Sequence, residues 1–294
     1  MPCWRKGKRK KEKGKSEGIR ILALLLFTLN LAGLAGCGLW KPAEEPVLKQ
    51  ATAEELTALL REREAAVQTM KGLFSAKIKG GVISVAQRVE GTMYYRRPDA
   101  MRLQGFTSLG SELFEFVMAH DRYTLRLPTM GRVFTGRPSE PEQLGKLTRP
   151  FQLSVWAMHG VVGSAAVGEH ERVALAEEGD RYRLDVFRTS SNDAAPTSGV
   201  IRRIWFDRRT LLVVREDRLA STGEVEAMLQ FDDYRPVGLD EAGVAGDGSR
   251  APDRRMLRPF KVSMEDGQGR GSVQVIFHEI VPNASLKPSD LGQV

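Results

Sequence analysis

The sequence predicts a mainly β domain with helices, an antiparallel meander rolled into a barrel or half-barrel. Three observations carry this. From residue 73 onward, apolar and polar residues alternate with a period of two in about a dozen short runs. Turn sequences separate consecutive runs and make neighbours antiparallel hairpins. Two stretches depart from that period, one ahead of the first run and one between runs, and both read as helices. A meander of this size rolls up, because a flat sheet would leave its apolar face in water.

In chain order, residues 1–20 are basic, and Ile21–Leu34 is a 14-residue run broken only by Thr28, Asn30 and Gly33. A spanning helix needs about 20 apolar residues. The shorter run behind a basic segment has the order of a secretory signal. Residues 1–37 hold nine of the 44 bases and two of the 37 acids, so they carry the whole formal charge of +7. The rest of the chain is neutral, which argues against nucleic acid as a partner of the folded domain. The only cysteines are Cys3 and Cys37, too few for a disulfide framework or a Cys-rich zinc site.

Leu34-Ala35-Gly36-Cys37 resembles the bacterial lipobox. That resemblance implies diacylglycerol on the Cys37 sulfur, cleavage before it and an N-acyl chain on the new terminus. Two or three acyl chains anchor firmly, because each buried CH₂ contributes about 0.8 kcal/mol. Gly38 stands where Asp would mark inner-membrane retention in the best-known sorting rule. The implied address is the periplasmic face of the outer membrane. The expected organisation is therefore a signal peptide over 1–36, an acylated cysteine and tether over 37–51, and one domain over 52–294.

Pro42 and Pro46 stiffen the tether. Thr52-Ala53-Glu54-Glu55 is a capping box opening a helix to about Met70, with Leu56, Leu59, Leu60, Arg63 and Val67 on one face and Gly72 as its stop. Strands follow through Val89–Tyr95, Met101–Gln104, Leu113–Met118 and Tyr123–Leu127, with a turn at Arg97-Pro98-Asp99. The third segment, Leu113–Met118, is apolar on both faces around Glu115, which predicts cover on both sides. Residues 138–149 read as loop or short helix, and Pro150 to about Val162 as a buried helix. Alternation resumes at Tyr182–Val186, Val200–Phe206, Leu211–Leu219, Val225–Phe231, Phe260–Met264 and Val273–Phe277. Asp207-Arg208-Arg209-Thr210, Ser221-Thr222-Gly223 and the glycines at 267, 269 and 271 are hairpin turns. Residues 238–254 read as a mobile loop.

Catalytic motifs are missing. His120, His159, His170 and His278 make no helical metal pair, and His278-Glu279 has no second histidine at zincin spacing. Ser164 lacks the second glycine of a nucleophile elbow. The expectation is a non-enzyme without resident metal or cofactor, apart from the covalent lipid on Cys37.

Met101-Arg102-Leu103-Gln104-Gly105-Phe106-Thr107-Ser108-Leu109-Gly110-Ser111-Glu112-Leu113 resembles the LolB family of outer-membrane lipoprotein receptors. Leu144-Gly145-Lys146-Leu147-Thr148 with the following Pro150–Trp156 stretch, and the Asp266-Gly267-Gln268-Gly269 hairpin, are also similar. The likeness covers 55–160 and 256–282, whereas 165–255 is longer than in the usual receptor. It implies an incomplete antiparallel β-barrel, a LolB-like half-barrel curved around helices, with an apolar hollow for acyl chains of lipoproteins or other lipids, and a periplasmic carrier as donor. In that family the leucine of the Leu-Gly-Ser loop protrudes and assists membrane insertion, and only Leu109 matches it. On the residues alone, Leu109 either protrudes or folds back onto the sheet. Candidate lining residues are Met93, Tyr95, Met101, Leu103, Phe114, Phe116, Leu125, Leu127, Phe151 and Trp156. The same residues also suit an ordinary core. A related half-barrel serves periplasmic regulators, so a non-transporting lipid-sensing or protein-binding module is the second reading.

Overall fold

The computed structural model describes residues 47–80, 83–137, 145–163, 167–168, 170–188, 199–238 and 256–292, with the backbone alone for 83–85 and 145–152. The expected signal peptide, Cys37, most of the expected tether, the start of the expected 138–149 loop and nearly all of the expected 238–254 loop lie outside them.

Among the described residues thirteen antiparallel strands form one open sheet. They are β1 (Thr69–Gly80), β2 (Ile83–Arg96), β3 (Ala100–Phe106), β4 (Glu112–Ala119), β5 (Arg122–Leu127), β6 (Arg132–Gly136), β7 (Glu171–Glu178), β8 (Arg181–Arg188), β9 (Val200–Asp207), β10 (Val213–Leu219), β11 (Val225–Val237), β12 (Met256–Asp266) and β13 (Gly271–Pro282). The spatial order is β6-β5-β4-β3-β2-β1-β13-β12-β11-β10-β9-β8-β7. Every neighbour is a sequence neighbour except β1 and β13. The first and last strands therefore meet in the middle, with Phe74 opposite Phe277 and Ala76 opposite Val275. The sheet is an incomplete barrel curled around two helices, α1 (Ala53–Ala65) and α2 (Gly145–Val162).

Helix α1 begins as its sequence dictates. Thr52 Oγ1 accepts from the Glu55 amide at 3.2 Å, and Glu55 Oε2 accepts from the Thr52 amide at 2.8 Å. Leu56 and Leu60 are buried. The helix stops at Ala65, five residues before the expected Met70. Gly72 is no stop, because it lies inside β1 against the Phe277 ring. Donors from distant elements set this end. The Arg63 carbonyl accepts from Arg258 Nη2 at 2.7 Å, and the Ala66 carbonyl from Asn283 Nδ2 at 3.0 Å. Val67 and Met70 are still buried, so the apolar pattern reported burial while the backbone had already left the helix.

Helix α2 begins at Gly145, earlier than the expected start at Pro150, so the proline sits within its second turn. It packs against β12, β13, β1 and β11. Gly160 permits this closeness, because a Cβ there would lie 2.3 Å from the Phe231 ring. Strands β6 and β7 escape the sequence reading. They are the sheet edges, with no residue fully buried and no clean alternation of apolar and polar residues. Strand β10 starts at Val213, because Leu211 takes a left-handed φ of 59° in the turn that Asp207 Oδ1 organises. Glu115 is buried as expected of a strand covered on both sides. It accepts from Arg102 at 2.6 Å and Arg126 at 2.9 Å, and Arg102 also donates to Ser289 in the 3-10 turn Pro288–Leu291.

Candidate functional site: an apolar inner face with an exposed loop

Residues opposite each other on paired strands share a face, so register identifies the inner rows. Met93, Leu103, Phe116, Leu125 and Phe134 form one row across β2 to β6. Tyr95, Met101, Met118 and Tyr123 form the next. Phe114 and Leu127 share the parity of these rows. Eight of the ten expected lining residues thus occupy one face, each no more than 9% exposed. Rings stack within it: Phe116 and Tyr123 have centroids 5.7 Å apart at 17°. Gly105 belongs to this packing, since a Cβ there would meet Phe114 Cε1 at 2.1 Å.

The other two expected residues lie on α2. The Phe151 side chain is outside the described residues. Trp156 is half-buried, with the Arg218 guanidinium of β10 4.9 Å from its ring centroid. One turn on, burial lowers the pKa of His159 to about 4. Arg218 acts in the same direction, while Glu216 and Asp99 oppose it. Through its packing on β1 and the stacking of Arg218 of β10 on Trp156, α2 meets both halves of the sheet.

The β3–β4 turn is tied by its own backbone. The Thr107 amide donates to Ser111 O at 2.8 Å, the Gly110 amide to Thr107 O at 2.9 Å, and the Ser111 amide to Thr107 Oγ1 at 3.1 Å. Leu109 at its tip is 92% exposed. A rigid turn holding one leucine in water has no core reason for that leucine.

Sequence reasoning missed a second locality. A cavity of about 30 Å³ is lined by Leu60, Arg63, Leu212, Phe231, Tyr234 and Arg258, among others. Arg258 is 3% exposed, and burial lowers its pKa to about 10, helped by Arg63. Burial likewise pushes the Tyr234 hydroxyl up, and it donates to Val213 O at 2.5 Å. A signal was present: Arg258 has the parity of Phe260, Val262 and Met264, which all face inward. Among the described residues no three metal-ligating side chains gather, and no helix is long and apolar enough to cross a membrane.

No protein-family model matches the chain, and no curated protein matches it. Solved structures do. A DUF1329 family protein from Desulfovibrio piger aligns with a TM-score of 0.56 at 12% identity, covering 80% of this chain and 94% of that one. A domain described as outer membrane lipoprotein-sorting, from Vibrio parahaemolyticus, aligns at 0.50 and 16% identity, covering 82% and 97%. A LolA superfamily protein from Nitrosomonas europaea aligns at 0.50 and 7% identity, covering 82% and 98%. At such identities the likeness is one of fold: this chain has the open, curled sheet of LolA-superfamily proteins.

Proposed function

We propose that this chain is a lipid-handling lipoprotein of the outer membrane, anchored through acyl chains on Cys37, which takes acylated clients from a periplasmic carrier and passes them to the bilayer. The observation that carries the reading is the placement of Leu109. It stands 92% exposed at the tip of the turn joining β3 and β4, and those strands supply Met101, Leu103, Phe114 and Phe116 to the apolar inner face. One hairpin thus joins an apolar face to an apolar tip.

The chemistry is non-covalent. The inner rows are close-packed, so acyl chains enter only as this face gives up its present apolar neighbours, and the rows then pack against the chains in their place. Transfer is downhill where the chains bury more apolar area on this face than in the donor, at about 25 cal/mol per Å². Methionine suits such a face, because its flexible thioether adapts to shapes that change. No step calls for a catalytic residue, metal or cofactor.

The test is delivery in cells and in vitro. Depletion should accumulate carrier-bound lipoproteins in the periplasm, and Leu109→Glu should impair transfer to membranes while the fold stays intact. Normal delivery after depletion would refute the role. A second reading, a lipid-sensing or protein-binding module, draws on the outer face of β8–β10. There Arg183, Asp185, Arg203, Arg215 and Asp217 form a charged ladder beside Trp205. A stable protein complex from crosslinked envelopes, in place of transient acylated clients, would favour it.

A further inference from the structure

We infer that the cavity between Arg63 and Arg258 is a binding site for a single oxyanion, a phosphate group held by the two guanidinium groups against an otherwise apolar wall.

Charge is the first argument. Arg258 is 3% exposed, and the groups acting on it are Arg63, which opposes its charge, and Tyr234. The described residues lining the cavity include two arginines, one tyrosine and no carboxylate. Arg258 is buried and Arg63 half-buried, with exposed Glu62 the acid that acts on Arg63, and two like charges facing one cavity that holds no carboxylate are costly. Elsewhere the protein balances such groups: Glu115 has two arginines, and Asp217 has Arg215 at 2.7 Å.

Unused donor capacity is the second. Arg258 donates through Nη2 to Arg63 O at 2.7 Å and through Nη1 to Leu257 O at 3.4 Å, while its buried Nε has no partner among the described residues. Arg63 donates through Nη1 to Leu211 O at 2.9 Å. These bonds tie down the end of α1 and the β9–β10 turn but leave donors over. Guanidinium groups bind phosphate oxygens through paired, charge-assisted bonds.

Shape is the third. The cavity measures about 30 Å³, room for about two water-sized oxygen atoms. It accepts part of a tetrahedral oxyanion, with the remainder at the lip beside Leu257, which is 43% exposed. Leu60, Leu212, Val213 and Phe231 keep the local dielectric low, which strengthens the attraction. The site stands whether or not the inner face of β2–β5 holds acyl chains. The shared chemistry is a phosphate group, either free or in a lipid headgroup.

The full chain in a neutral detergent is titrated with inorganic phosphate, and separately with dihexanoyl phosphatidic acid, against sodium chloride at matched ionic strength. Thermal unfolding and ³¹P line widths are followed. At a tenfold excess over Kd the midpoint should rise by about 4 °C, and the phosphorus line should broaden. Arg63→Gln should abolish both effects. Leu257→Glu, at the exposed lip, should do the same by placing a carboxylate beside the pair, and it serves if the first variant fails to fold. A response to both probes makes free phosphate sufficient, and a response to phosphatidic acid alone assigns the site to a lipid headgroup. The proposal falls if neither probe acts on the unaltered protein, or if both variants respond undiminished. In that case the arginines serve only to tie the helix end.

Discussion

The two halves of the sheet follow one alternation rule and build unlike inner faces. In β1–β6 the buried inner residues are apolar, as in Met93-Leu103-Phe116-Leu125, with Gln87 and Arg132 only at the exposed ends. In β7–β13 the corresponding rows carry charge. Leu229, Glu216, Ile204 and Leu184 are in register, and so are Ala227, Arg218, Arg202 and Val186. Glu216 is 1% exposed and pairs with Arg218 at 3.1 Å, while Arg202 pairs with Glu171 at 2.9 Å. The difference concerns what can move. Apolar packing is non-directional, so one apolar partner can replace another. A buried ion pair is directional, and displacing either member strands the other. The first half is therefore suited to exchanging its cover for acyl chains, and the second to acting as a fixed frame.

The comparison can be broken most strongly at Glu216. Glu216→Ala should cost about 4 kcal/mol in urea unfolding, because it strands Arg218 on the inner face. The double change Glu216→Leu with Arg218→Met should recover most of that loss. A double variant as weak as the single one would mean that the halves do not differ in this way.

In the apolar half, Leu103→Ala should cost about 3 kcal/mol through lost burial and a cavity. It should also raise uptake of a fatty-acyl probe, since the space created is apolar. Lower uptake with the fold intact would argue against this face as the lipid site.

His159 lies where the halves meet, and its effect depends on pH. Its folded pKa is about 4, against about 6.5 unfolded. Above pH 6.5 neither state holds the proton and stability is level. As pH falls from 6.5 towards 4, the unfolded chain is protonated first and stability declines by up to about 3 kcal/mol. His159→Gln should flatten that window in urea unfolding at stepped pH. An unchanged slope would place the acid sensitivity elsewhere.

The smallest effect on stability is expected at Leu109. Leu109→Glu should shift unfolding by no more than about 0.5 kcal/mol, since the side chain is in water already. A large loss would mean that the leucine packs against something in solution, and that the tip is not free.

Legibility followed locality. The capping box at Thr52, the hairpin turns at Asp207 and Gly269, and the parity of Met93 with Tyr95 are short-range patterns, and all read directly. The end of α1 did not, because it depends on Arg258 and Asn283, which are remote in sequence. Edge strands β6 and β7 were hidden because neither alternates cleanly between apolar and polar residues. Arg258 was the instructive omission: its parity placed it inside, but arginine as a residue type suggested the surface. Eight of the ten proposed lining residues share a face because alternation forces them to. That they form one buried layer depends on strands that pair only once the chain has folded.

Sequence alone determined the class of the molecule: antiparallel strands, a helix before them and one among them, and a leucine at the tip of a tight turn. Each follows from interactions within a few residues, where periodicity and turn chemistry act. Tertiary structure alone decided that β1 closes on β13, that α2 reaches both halves, and that Arg63 and Arg258 face one cavity. Those outcomes rest on packing between distant segments. Whether a buried charge is tolerated there depends on what the far strand brings, which no local pattern encodes.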